Sequence, residues 1–286
     1  LLARIADALE RLSPAPRPLP DFRQCLAAQW RRVGQSAWLE PVTTPHRIDA
    51  DDLVAVDAQR ELIDRNTRQF VRGRPANNVL LTGARGTGKS SLVKAMLARY
   101  GGQGLRLIEV DKAHLADMAT IARLVADRPE RFIVFCDDLS FDAGDASYKG
   151  LKAALDGSIA AATPNLLIYA TSNRRHLLPE YFHENAETRY VGEEVHFGES
   201  VEEKVSLSER FGLWISFYPF DQDTYLAAAV RWVERMGGRL PTGRTRESFE
   251  QQALQWALQR GSRSGRVASQ FARDWCGRHP RGRSGA

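Results

Sequence analysis

Residues 78–91 read Asn-Val-Leu-Leu-Thr-Gly-Ala-Arg-Gly-Thr-Gly-Lys-Ser-Ser, and no other stretch limits the fold as much. Val79, Leu80 and Leu81 form an apolar run that fits a buried strand, stopped by Gly83. Gly83, Gly86 and Gly88 let the next segment curl without Cβ clashes. From Lys89, the residues Leu92, Val93, Met96 and Leu97 recur at helical spacing up to Tyr100. Strand, Gly-x-x-x-x-Gly-Lys-Ser and helix, in that order, make a phosphate-binding loop. Gly83, Ala84, Arg85, Gly86, Thr87 and Gly88 would supply amides, and a helix opening at Lys89, Ser90 and Ser91 would add its unpaired N–H groups and positive dipole end. Lys89 adds a mobile cation, and Ser90 a hydroxyl suited to Mg²⁺. The plainer alternative, a Gly-rich turn that binds nothing, does not need both flanking elements. A nucleoside triphosphate is the expected ligand.

Downstream, strand and helix patterns alternate. Residues 105–110 read as a second strand and 112–127 as a helix. Residues 131–138 are Arg-Phe-Ile-Val-Phe-Cys-Asp-Asp, a strand buried on both faces that ends in two carboxylates. Leu151, Leu155 and Ile159 mark a helix, residues 166–171 a further buried strand ending at Asn173, and 213–218 a last strand. Such alternation predicts a parallel sheet with helices on both faces, whose ligands bind beyond the C-terminal ends of the strands. Residues 180–200 read as a polar surface insertion, followed by a short helix over 201–208. From Asp221 only helices are expected: one with Leu226, Val230 and Val233, one with Phe249, Leu254 and Leu258 closed by Gly261, and one with Val267, Phe271 and Trp275. An Arg/Gly-rich tail follows Gly277.

Upstream, residues 1–12 fit one helical face, and Pro14, Pro16, Pro18 and Pro20 an extended linker. Phe22, Leu26, Trp30 and Val33 predict a helix over 21–33 stopped by Gly34, and 38–52 reads as irregular. Residues 53–57 lead into a helix ending near Gly73, which either wraps the base of the nucleotide or simply packs on the sheet. The expected organisation is an N-terminal helical or linker region over 1–37, a nucleotide-binding core over 38–220, and a helical lid with a basic tail over 221–286.

Asp137 ends its strand where an aspartate holds Mg²⁺ through the ion's water shell, with Ser90 as direct ligand. Asp138 takes the position that polarises the attacking water. It is one methylene shorter than glutamate, so it needs a closer backbone or a relayed water; an ordinary acidic turn is the alternative. Asn173 either orients water against the γ-phosphate or caps the turn before Arg174. Arg210, before the last strand, could reach a neighbouring copy's nucleotide more easily than its own. Arg266 opens the last helix, where it could fold onto the phosphates, with Arg263 as competitor. The histidines show no metal-ligand spacing with one another or with cysteine. Cys25, Cys136 and Cys276 are odd in number and far apart, as free thiols of a reducing cytoplasm would be, and no run approaches a membrane span. Net charge is +5, carried mostly by arginine, which permits an acidic partner without demanding one.

With the glycine loop, Asp137-Asp138, Asn173, Arg210 and Arg266 in this order, the chain resembles an AAA+ ATPase. It is most similar to a bacterial AAA+ family catalogued as a domain of unknown function, through residues 80–91, Phe-Cys-Asp-Asp-Leu-Ser-Phe (135–141), Tyr-Ala-Thr-Ser-Asn-Arg-Arg-His-Leu (169–177) and Ser-Leu-Ser-Glu-Arg-Phe-Gly-Leu (206–213). The resemblance covers residues 38–275 and implies an α/β P-loop NTPase sheet of order 5-1-4-3-2 followed by a small C-terminal all-α lid. It also implies Asn173 as sensor 1, Arg210 as arginine finger and Arg266 as sensor 2. The paired aspartates resemble those of helicase-loader ATPases, so Asp138 need not disable hydrolysis. The aromatic-hydrophobic-Gly pore loop of protein unfoldases is not found after the second strand, where the chain reads Asp111-Lys112-Ala113-His114-Leu115.

Together these readings predict a cytoplasmic ATPase using ATP and Mg²⁺. It would form a head-to-tail homo-oligomeric ring and act on an unidentified protein or nucleic-acid client away from membranes. Two rivals stand beside it. An ATP-gated loader or clamp with little turnover is favoured by the basic tail, and a monomeric small-molecule kinase leaves Arg210 and the helical lid unexplained.

Overall fold

The computed structural model describes residues 17–46, 48–141, 147–156, 163–173, 189–191, 194–196, 208–239 and 243–280. The expected helix over 1–12 lies outside them, as do most of 201–208 and the last residues of the tail. Among the described residues, one sheet carries the architecture. Its strands are β1 (Ala27–Val33), β2 (Ser36–Pro41), β3 (Val79–Gly83), β4 (Leu105–Glu109), β5 (Arg131–Cys136), β6 (Leu166–Ser172) and, after the small hairpin β7–β8 (Arg189–Val191, Glu194–His196), β9 (Leu213–Phe217). The order is β2-β1-β4-β5-β6-β3-β9. Numbered from the loop-bearing strand, β9-β3-β6-β5-β4 is the 5-1-4-3-2 order, and all four of its pairings are parallel.

Period-two alternation sorts the strand side chains between two cores. Phe132, Val134 and Cys136 of β5 face one layer with Ile121 and Leu151, whereas Ile133 and Phe135 face the other with Leu92 and Met96. The first layer holds α3 (Met118–Val125) and α4 (Ser147–Leu155), the second α1 (Asp57–Val71) and α2 (Lys89–Tyr100). Each such side chain contributes about 1.5–3 kcal/mol by leaving water. Because both faces are covered there, β3, β5 and β6 are apolar through most of their length rather than alternating, which made these three readable.

Four expectations are corrected. Residues 21–33 are not a helix: after a turn at 22–24 the chain enters β1, which pairs antiparallel with β2 and parallel with β4. A spacing of four, as between Leu26 and Trp30, suits a strand as well as a helix because four is even. Val33 is 69% exposed, which a helical stripe would not allow. Gly34, at φ +59, supplies the left-handed bend of a two-residue hairpin and not a helix stop. The boundary expected at 37 therefore cuts this hairpin, and part of the stretch expected to be irregular is β2. Residues 112–127 also differ: Lys112–Asp117 is a 3₁₀ turn before α3. Gly150 of α4 lies against it so closely that a Cβ would come within 2.7 Å of Ala116 Cα.

Among the described residues, three helices follow the sheet: α5 (Gln222–Arg235), α6 (Arg244–Gln259) and α7 (Gly265–Arg278). Asp221 and Ser264 cap α5 and α7 through their side chains. Tyr225, Val233, Phe249, Phe271 and Trp275 form their own core, with Phe249 and Trp275 edge-on at 4.9 Å. Val54, from the segment before α1, packs against this core, and Asp52 pairs with Arg235 at 2.7 Å.

Candidate nucleotide site

The loop between β3 and α2 is shaped by glycine where no other residue fits. Gly83, Gly86 and Gly88 have φ of +134, +77 and +103. A Cβ on Gly83 would lie 1.9 Å from Phe217 O, so the edge strand β9 seals the loop's base. On Gly86 it would meet Ser264 Oγ and Arg266 Cβ at 2.8 and 3.0 Å, because α7 begins directly over the loop. Arg266 N donates to Gly86 O at 3.2 Å, and Thr87 Oγ1 donates to Ala84 O at 2.8 Å.

Lys89 is 5% exposed, and its Nζ donates to Gly83 O and Ala84 O, both at 2.7 Å, and to Asn173 Oδ1 at 3.0 Å. Burial pushes its ammonium down to about 8; Asp137 and Asp138 oppose that shift, and Arg266 and Arg85 add to it. A polyphosphate favours the charged form, so binding takes up a proton wherever free Lys89 has lost one. Nucleotide affinity is therefore expected to be flat up to pH about 8 and to fall above it, by at most about tenfold per pH unit. Calorimetric titration from pH 7 to 9.5 checks this, and a flat profile would contradict it.

At the end of β5, Asp137 Oδ1 accepts from Ser90 Oγ at 2.6 Å and from Thr171 Oγ1 at 2.5 Å. A hydroxyl and a carboxylate this close are hard oxygen donors of the kind that hold Mg²⁺ and part of its water shell, so the residues fit that ion. Asp138 takes a left-handed backbone conformation, φ +53. Its Oδ1 accepts from Asn173 Nδ2, its Oδ2 faces Arg85 Nη2 at 3.5 Å, and its backbone N donates to Thr171 Oγ1 at 2.9 Å.

Arg85–Ser91, Asp137, Asp138, Asn173 and Arg266 line one cavity of about 640 Å³, while Gly83 and Ala84 contribute the carbonyls that hold Lys89. Leu53, Val54 and Val56 line it as well, so the segment before α1 faces the cavity. Arg263 does not line the cavity; its carbonyl accepts from Phe220 N at 3.3 Å. Arg210 lies elsewhere, its Nε donating to Asp156 Oδ1 beyond α4. Sequence reasoning missed Thr171, Trp232, Gln270 and Arg273. Arg266, Gln270 and Arg273 share one face of α7 opposite Val267, Phe271 and Trp275, a spacing that was open to inspection.

A glycine loop closed by a lysine, an aspartate at the tip of the strand two places away, an amide just past the end of the strand between and a helical lid seated on the loop define an AAA+ P-loop NTPase fold. The chain belongs to the family described as "Protein of unknown function (DUF815)", whose model matches residues 23–279. No curated protein matches it in sequence. Among solved structures, the chain is similar to the RuvB Holliday junction branch migration motor of Thermotoga maritima, at 16% identity and TM-score 0.42 over 80% of this chain and 71% of that one. It is also similar to PCH-2 of C. elegans, at 15% identity and TM-score 0.48 over 81% of this chain and 65% of that one. At these values the likeness says nothing of activity. Among the described residues no helix is long and apolar enough to cross a membrane.

Proposed function

We propose that the protein binds ATP with Mg²⁺ and hydrolyses it in a homo-oligomer, in the cytoplasm, using lid movement to remodel or load a macromolecular client. The observation that carries this reading is the single cavity in which Lys89, Ser90, Asp137, Asp138 and Asn173 meet under Arg266. Backbone amides of the loop and Lys89 hold the polyphosphate, and Arg266 approaches it from the lid. Mg²⁺, held by Ser90 and Asp137, would draw charge from the phosphate oxygens. In the hydrolytic step a water oxygen bonds to the γ-phosphorus and the bridge to the β-phosphate breaks, leaving its electron pair on ADP. Asp138, held by Asn173, takes the proton the water loses.

Calorimetry of the purified protein with ATP and Mg²⁺, followed by a phosphate-release assay, tests the proposal. Micromolar uptake and Mg²⁺-dependent release are expected. Uptake without release would leave a nucleotide-gated binding module, and no uptake would remove the nucleotide from the account.

A further inference from the structure

Asp138 is a short carboxylate in a position that needs reach, and the structure shows how the chain accommodates it. Thr171, on β6, is 1% exposed. Its single hydroxyl donates to Asp137 Oδ1 at 2.5 Å and accepts from Asp138 N at 2.9 Å. One buried side chain on the neighbouring strand thus holds both the carboxylate facing Ser90 and the peptide that follows it. That peptide turns left-handed at φ +53, a conformation that costs a non-glycine residue energy and persists only when neighbours enforce it. Leu139 N donates to Thr171 O at 2.7 Å and Ser172 Oγ to Leu139 O at 2.7 Å, so β6 holds the turn on its far side as well. The turn delivers the Asp138 carboxylate onto Asn173 Nδ2, and the Oδ1 of the same amide takes Lys89 Nζ at 3.0 Å. The short acid therefore stands one amide away from the phosphate-binding lysine.

We propose that Thr171 is a positioning residue that fits this site to an aspartate, aiming Asp137 at the metal and bending the backbone so that Asp138 reaches the attacking water. The inference rests on the ATPase reading. It predicts that the hydroxyl, and not the volume, of residue 171 matters.

Thr171→Val keeps the shape and removes the hydroxyl, whereas Thr171→Ser keeps the hydroxyl. In Thr171→Val, kcat is expected to fall about 10²-fold, within the range for a displaced general base. The Mg²⁺ concentration for half-maximal turnover should rise several-fold, and ATP affinity measured without metal should stay within about twofold. Thr171→Ser should keep all three near the parent values. Asp138→Glu, too long for the bent backbone, should slow turnover in the parent and cost less in the Thr171→Val background.

Turnover of Thr171→Val within twofold of the parent would overturn the proposal. So would Thr171→Ser failing equally with the same loss of melting temperature, or additive effects of the Asp138→Glu pair. Should the parent bind ATP without hydrolysing it, the turnover reading fails while Mg²⁺ enhancement of ATP affinity still decides. That enhancement is lost in Thr171→Val if Thr171 aims Asp137 and kept if it does not. A parent that binds no nucleotide ends both readings.

Discussion

Lys89→Ala is expected to lower ATP affinity by about a thousandfold. The ammonium supplies charge-assisted hydrogen bonds worth about 1.5–3 kcal/mol each, and losing two of them corresponds to a change of that size. The substitution has a second effect on the loop. Gly83 O and Ala84 O both accept from Nζ, so the alanine variant loses the brace that holds these carbonyls turned inward. The buried ammonium is itself disfavoured by desolvation, so its removal is not expected to unfold the domain. Calorimetry for affinity and a thermal melt for integrity separate the two. A folded Lys89→Ala protein with parental affinity would take the loop out of the account of function.

Arg210→Ala should behave oppositely, binding ATP within about threefold of the parent while hydrolysing it about 10³ times more slowly, the low end of what an arginine finger contributes. Arg210 pairs with Asp156 and stays out of the cavity that holds Lys89, so any service to catalysis would be rendered to another copy. Mixing Arg210→Ala with Lys89→Ala protein should then recover turnover that neither has alone. One variant keeps a competent pocket and the other a competent guanidinium. No recovery at any mixing ratio, with assembly verified by light scattering, would argue against catalysis across subunits.

The residues lining the cavity were legible because the signals for them are local. A loop needing φ above zero at three places announces itself as Gly83, Gly86 and Gly88, and a strand buried on both faces announces its end when Asp137 follows Cys136. Where the determinant lies across the sheet, local reading fails. Trp30 looks like part of a helical stripe until β4 is known to lie beside it, and its indole Nε1 is satisfied 87 residues away by Asp117 Oδ2. Thr171 is one more β-branched residue in an apolar strand until β5 is placed next to β6. Nor does anything near Arg210 in sequence point to Asp156, 54 residues earlier.

One contact reaches beyond the cavity. Gly86 carries the α7 amide of Arg266 on its carbonyl oxygen and leaves no space for a side chain between them. A helix is stiff along its axis, and the 14 residues of α7 extend about 20 Å at 1.5 Å each. Its far end carries Trp275 against Phe249, in the middle of the lid. The helix thus spans from a glycine loop at the tip of β3 to the aromatic cluster at the centre of the C-terminal helices, tying two separate cores through one stiff rod.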